Sequence, residues 1–221
     1  IKLKNVSFTF NNTIKDPVYI LDNISLNIPK GDYISIIGDN GLGKSTLIRL
    51  LLGFLKPTKG DISLNTKNIG YVSQKKESYT SGFPITVEEL ISSYAKIKKA
   101  YTKTIVEETL KLVSLESKRK ELVSDLSGGQ YQKLLISRSL IGNPDILILD
   151  EPSTGVDVSS QTEIYSFLKK LNTEKKLTII AVEHNLDAAI TNSTNIFHVA
   201  NSKGHLCSPE NYIREFKGGN K

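Results

Sequence analysis

Ile34-Ser35-Ile36-Ile37, running into Gly38-Asp39-Asn40-Gly41-Leu42-Gly43-Lys44-Ser45, decides the fold of this 221-residue chain. An apolar run, a glycine-rich loop and a helix-like segment follow one another without a gap. Helix N-termini present backbone N–H groups that have no partner inside the helix, so such a junction is a cradle for anions. Two further apolar runs end in polar residues: Ile146 to Leu149 in Asp150-Glu151, and Leu177 to Val182 in Glu183-His184. These runs lack the alternation of half-exposed strands, as expected of parallel strands covered on both faces. Ligands of open parallel sheets sit outside the carboxyl ends of the strands, so three strand ends point to one site.

The spacing Gly38-x-x-x-x-Gly43-Lys44-Ser45 is that of the phosphate-binding P-loop. Glycines let the backbone curl until its N–H groups face the α- and β-phosphates. Lys44 is then placed to reach the β- and γ-phosphates, and Ser45 to ligate Mg2+. Asp150, after a buried strand, can hold Mg2+ through water, and Glu151 beside it is the natural general base for an attacking water. Alone, an Asp-Glu-Pro stretch reads as a helix cap; joined to the P-loop it reads as catalytic. A second glycine-rich loop, Leu126-Ser127-Gly128-Gly129-Gln130, also runs into a helix-like segment and is a second candidate phosphate cradle.

Length suits one sizeable domain, and 38% hydrophobic with 24% charged residues is ordinary for a soluble globular protein. No segment approaches the roughly 20 apolar residues of a membrane helix, and no secretory signal is visible in a chain that begins at Ile1. The lone Cys207 excludes an internal disulfide framework and fits a reducing compartment. The net charge of +6 comes from short runs such as Lys75-Lys76, Lys98-Lys99, Lys118 to Lys120 and Lys175-Lys176. Such runs mark solvated faces, and no aromatics are interleaved to stack on bases, so no nucleic-acid partner is expected.

Strands are expected at Lys2 to Phe10, Ile20 to Ile28, Tyr33 to Ile37, Asp61 to Leu64 and Ile69 to Val72, with a helix from Lys44 to about Leu55 before Pro57. Thr86-Val87-Glu88-Glu89 and Thr104-Ile105-Val106-Glu107 have capping-box spacing and predict helices near 87–99 and 103–114. The lysine- and glutamate-rich middle therefore reads as a helical subdomain inserted into an α/β core. The division is residues 1–74 and 135–221 for the core, with its N-terminal antiparallel β region, and 75–134 for the helical part with the Leu126 to Gln130 loop. Helix and strand alternate from Gln130 to the end, which predicts a parallel sheet.

Along essentially its whole length the chain resembles the nucleotide-binding subunit of ATP-binding cassette (ABC) transporters. The resemblance rests on the order P-loop, Gln74, Leu126 to Gln130, Asp150-Glu151, Asp157 and His184. It implies ATP and Mg2+ as ligands, with Phe10, Gly38, Asn40, Gly41, Gly43, Lys44, Ser45 and Thr46 around the nucleotide. Ser45, Gln74 and Asp150 would hold the metal. Glu151, His184 and Gln74 resemble the catalytic residues; the resemblance implies that His184 would contact the γ-phosphate and position the water. Ser127, Gly128, Gly129 and Gln130 resemble the signature that grips the ATP of a second copy, and Asp157 the residue that couples the two copies. Phe10 resembles the aromatic that stacks on adenine; a core phenylalanine is the competing reading, and Tyr19 an alternative stacker. Three departures stand out: Leu42 in the P-loop, Lys133 in place of the usual Arg, and Glu183-His184-Asn185 in place of Thr/Ser-His-Asp. Glu183 is expected to add negative charge near the γ-phosphate.

Tyr79 to Val87 and Thr154-Gly155-Val156-Asp157 look like the zinc/manganese-type importers. That likeness implies a pair of copies on the cytoplasmic face of the membrane. Each would dock on a separate permease and be served indirectly by an extracytoplasmic solute-binding protein. The alternatives are an importer for another solute, or a non-transport ABC ATPase; the latter usually carries long coiled coils or two cassettes, and this chain has neither. His198, His205 and Cys207 could chelate a metal but read more simply as unrelated tail residues.

Overall fold

The period-2 pleat explains how uninterrupted apolar runs build two cores at once. The computed structural model describes residues 1–12, 16–74 and 84–217. Its main sheet has the order β5 (Ile69–Val72), β6 (Ile146–Asp150), β7 (Thr178–Val182), β3 (Tyr33–Ile37), β8 (Asn195–Ala200), β9 (Lys203–Cys207). All residues of β3, β6 and β7 are buried. Successive side chains point to opposite faces. Ile34, Ile36, Ile146, Ile148, Ile180 and Val182 therefore join one cluster, and Tyr33, Leu147, Leu149, Ile179 and Ala181 the other.

The first five strands of that order are mutually parallel; β9 closes the edge as an antiparallel hairpin with β8. The expected parallel sheet thus holds except at this edge, where a two-residue turn at Asn201-Ser202, both with positive φ, leaves no room for a crossover. A separate antiparallel sheet of order β2 (Leu21–Asn27), β1 (Lys2–Phe8), β4 (Lys59–Ser63) covers the first cluster, contributing Val6, Ile24 and Leu26. Helix α1 (Lys44–Leu51) packs into the same cluster through Leu47, Ile48 and Leu51.

The helical part has its own core. α2 (Val87–Ile97) and α3 (Ile105–Lys111) contribute Val87, Ile91 and Leu110, and α4 (Gly128–Ser139) contributes Leu134. Leu135 and Ile136 of the same helix belong to the sheet cluster, so α4 fastens the two parts together. On the far face lie α5 (Val158–Lys175) and α6 (Leu186–Asn192); α7 (Pro209–Tyr212) and a π-helical turn at Ile213–Lys217 end the described chain.

Several expected boundaries move. β1 ends at Phe8 because the Thr9 N–H donates to Thr58 Oγ1 (3.2 Å) rather than to a strand. α1 ends at Leu51, before a left-handed Gly53. The capping box at Thr86 and Glu89 forms with both of its bonds. The one expected at Thr104 does not: Thr104 is in a helical conformation (φ −100°, ψ −7°), and its Oγ1 donates to Glu108 Oε1 at 2.7 Å. A capping side chain reaches N3 only from an extended backbone. Most of the Tyr79 to Val87 stretch, up to Phe83, lies outside the described residues.

Candidate functional site: a nucleotide-sized cleft at three strand ends

β3 delivers the glycine-rich loop and α1 leaves it. Gly38 has φ 146°, and a Cβ there would lie 2.3 Å from the Val199 carbonyl oxygen, so only glycine fits. α1 starts after Gly43 with no side-chain cap, which leaves its first N–H groups turned to the loop. Lys44, only 6% exposed, donates from Nζ to the carbonyls of Gly38 (2.7 Å) and Asp39 (3.0 Å). Burial lowers its pKa, against the pull of Glu151, Asp39 and Asp150. Its ammonium thus stands at the mouth of the cradle, facing acidic neighbours.

β6 and β7 deliver the second half. Glu151 sits in the left-handed region (φ 57°), and its N–H donates to the Val182 carbonyl at 3.2 Å. Non-glycine residues pay for this conformation in strain, which is common at functional sites. His184 Nε2 lies 2.5 Å from Glu151 Oε1, and Thr154 Oγ1 donates to Glu151 Oε2 at 2.9 Å. Asp150 is buried; desolvation first, and the Glu151 charge second, raise its pKa. Its Oδ1 has no hydrogen-bond partner. An orphaned buried carboxylate oxygen fits a hard cation.

Lys44, Glu151, Thr154 and His184 line a cleft of about 740 Å³. Asn40, Gly41, Gly43, Lys44, Ser45 and Thr46 form its floor, and Gln74, Glu151, Thr154 and His184 one wall. Phe10 and Ile20 form the apolar end. Phe10 is 65% exposed and meets Phe8 edge to face at 4.9 Å, so it is not a core residue. The early end of β1 is what releases it. Tyr19 does not line the cleft; Lys59 Nζ lies 5.0 Å from its ring centre.

The other glycine-rich loop does not line this cleft but adjoins its wall. Ser127 caps α4 through a box with Gln130: Gln130 N–H donates to Ser127 Oγ (3.2 Å) and Ser127 N–H to Gln130 Oε1 (3.0 Å). Ser127 and Gly128 are exposed. Gly128 shares a gap of about 30 Å³ with Gln74, Glu151 and Thr154. Gly129, on α4, is buried against α5, where a Cβ would lie 2.3 Å from Ser160 Oγ. Asp157 is the N-cap of α5, accepting from Ser160 N–H at 2.9 Å, which holds its carboxyl below the usual range.

A family model described as "ABC transporter" matches residues 21–154, from β2 through both glycine-rich loops to the acidic pair. The chain belongs to the ABC transporter family. It is 49% identical over 216 residues to a "probable metal transport system ATP-binding protein" of Treponema pallidum (strain Nichols), covering 98% of this chain and 89% of that one. It is 40% identical over 198 residues to the "high-affinity zinc uptake system ATP-binding protein ZnuC" of Bacillus subtilis (strain 168), covering 83% and 84%. Among solved structures it resembles the ATP-binding cassette MJ0796, in a dimeric post-hydrolysis state bound to ADP and Pi. The TM-score is 0.77 at 27% identity, over 94% of this chain and 98% of the other.

Within this ABC transporter cassette the departures acquire physical content. Lys133 makes an ion pair with Glu163 of α5 at 2.7 Å. Asn185 caps α6, accepting from Ala188 N–H at 3.1 Å. Glu183 does not add charge to the cleft: it is 2% exposed, turned inward onto the Tyr165 hydroxyl, and burial pushes its pKa up to about 8. Thr154, Ile20, Tyr165 and Ser153 are residues that sequence reasoning missed. Ile20 and Thr154 adjoin motifs, but nothing in the spacing of Tyr165 marks it. His198 and His205 pair across β8 and β9, and Cys207 is buried. Among the described residues no group of three or more His, Cys, Asp or Glu is arranged to hold a metal.

Proposed function

We propose that the chain is the ATP-hydrolysing subunit of a bacterial ABC importer for a divalent metal, zinc or manganese, and that it works as a pair of copies. The observation that carries this is the convergence of Lys44, Glu151 and His184 on one cleft, with the orphaned Asp150 carboxylate oxygen buried behind them, in a chain whose relatives are named for metal and zinc uptake. Residues 1–74 and 135–221 form the nucleotide-binding core, and 75–134 the helical part.

ATP lies in the cleft with its adenine against Phe10 and its phosphates on the loop from Gly38 to Thr46. Lys44 exchanges the Gly38 and Asp39 carbonyls for phosphate oxygens. Ser45, Asp150 and Gln74 would hold Mg2+, which screens phosphate charge when bound. Glu151 accepts the proton of the attacking water, and His184 orients that water and the γ-phosphate. Ser127 to Gln130 of each copy close over the ATP of the other, and Asp157 couples the two. ATP therefore binds the closed pair more tightly than the open one, and hydrolysis releases it. The closing motion passes through the region of Gln74 to a permease on the cytoplasmic face of the membrane, fed by an extracytoplasmic binding protein. No described helix is long and apolar enough to cross a membrane itself.

Growth of a deletion strain under zinc chelation tests the cargo. Expected is a growth defect that added zinc or manganese relieves and that a Lys44→Ala copy fails to complement. Normal growth under chelation would overturn the metal assignment.

A further inference from the structure

The geometry points to Tyr165 as a positioning residue that holds Glu151 and His184 in register, acting through Ser153 and Glu183. The inference rests on the reading of Glu151 as base and His184 as its partner. The Tyr165 hydroxyl, on α5, lies 2.8 Å from Ser153 Oγ and 2.7 Å from Glu183 Oε2. All three side chains are buried. Ser153 follows Glu151 by two residues, and Glu183 immediately precedes His184. One phenol therefore ties together, from beneath, the two loops whose other faces meet in the Glu151–His184 contact. The main chain adds a tie from Glu151 N–H to Val182 O (3.2 Å) and another from Glu183 N–H to Ile36 O (3.0 Å).

The cluster is chemically costly where it stands. Glu183 Oε1 has no hydrogen-bond partner, nor has the buried Tyr33 hydroxyl from β3. Burial pushes the Glu183 pKa up and the Glu151 charge adds to that push, while the hydrogen bond from Tyr165 pulls it back down. Apolar side chains of matching shape can replace a buried polar pair with little loss of stability. What they cannot do is fix Ser153 and Glu183 relative to one another. Tyr165 has a single proton, so holding both partners requires one of them to donate back: the Ser153 hydroxyl, or Glu183 in its protonated form.

The test is the double variant Tyr165→Phe/Glu183→Leu in the full chain, which removes the tether together with the Glu183 carboxyl, so that of its partners only the neutral Ser153 hydroxyl loses its bond. Tyr165→Phe alone and Glu151→Gln are assayed beside it. Melting temperature, KM for MgATP and kcat are read for each. A positioning role predicts a double variant that melts near the parent, with KM within about twofold and kcat down about tenfold or more, since small misplacements at a reacting centre cost that much. A kcat equal to the parent's in the folded double variant overturns the inference and leaves the cluster as packing. If the double variant does not fold, Tyr165→Phe is judged by the same kcat and KM criteria. Parent-like turnover in Glu151→Gln overturns the base assignment and the tether with it. An inactive Glu151→Gln beside a parent-like tether variant overturns the tether alone.

Discussion

His184 Nε2 and Glu151 Oε1 lie 2.5 Å apart across 33 residues of sequence. The two lie just past the ends of adjacent parallel strands, β6 and β7, whose register pairs Asp150 with Val182. Thr154 engages the other Glu151 oxygen, so both are occupied. Each oxygen keeps a second lone-pair site for the proton of a water, and both His184 and Thr154 line the cleft from which that water would come.

Glu151→Gln removes the proposed base but keeps the shape. Turnover should fall about 10²- to 10⁴-fold while MgATP still binds. Light scattering with saturating MgATP should then find a dimer. A monomer that hydrolyses ATP normally would contradict both the base and the pairing.

Lys44→Ala should weaken ATP binding on the order of 10- to 100-fold, the loss expected from charged hydrogen bonds worth about 1.5–3 kcal/mol. Calorimetric titration with a non-hydrolysable analogue reads this directly. An affinity within twofold of the parent would place the phosphates elsewhere.

Gly129→Ala forces a methyl to 2.3 Å from Ser160 Oγ and 2.4 Å from Ser160 Cβ. Overpacking of this kind costs about 1–3 kcal/mol, a drop in Tm of roughly 2–10 °C for a chain of this size. Adding Ser160→Gly should return part of that loss. If Gly129→Ala melts like the parent, α4 and α5 are not in the contact described.

Glu183→Gln should alter the pH dependence of stability. The folded pKa is about 8 against an ordinary 4.5. Between those values the folded chain holds a proton that the unfolded chain has released. Stability of the parent therefore falls as pH rises from 4.5 toward 8, by up to about 1.4 kcal/mol per pH unit. The variant lacks this slope, so its Tm should gain on the parent's from pH 5 to pH 8. Parallel curves across that range would show that Glu183 ionises freely.

The strand, loop and helix at Ile34 to Ser45 are legible in sequence because each follows from local chemistry: an apolar run, glycines at fixed spacing, and a helix start. The same holds for the acidic pair after Ile146 to Leu149 and for the capping box at Thr86. The Thr104 box has equal spacing and does not form, because backbone conformation at one residue decides whether the side chain can reach. Phe10 could be read as core or as cleft from sequence; its release depends on Thr58, which lies on the approach to β4 and takes the Thr9 N–H.

By itself, the sequence determined the α/β class, the phosphate loop, the acidic pair and the family, since these are written in contiguous residues whose chemistry is local. Only the tertiary structure decided where Glu183 points. Its neighbour His184 faces the cleft, yet Glu183 is drawn inward to a phenol 18 residues away in the chain, on another element. Adjacent residues at a strand end leave on opposite sides, and which side holds a partner is set by packing that no short stretch of sequence contains.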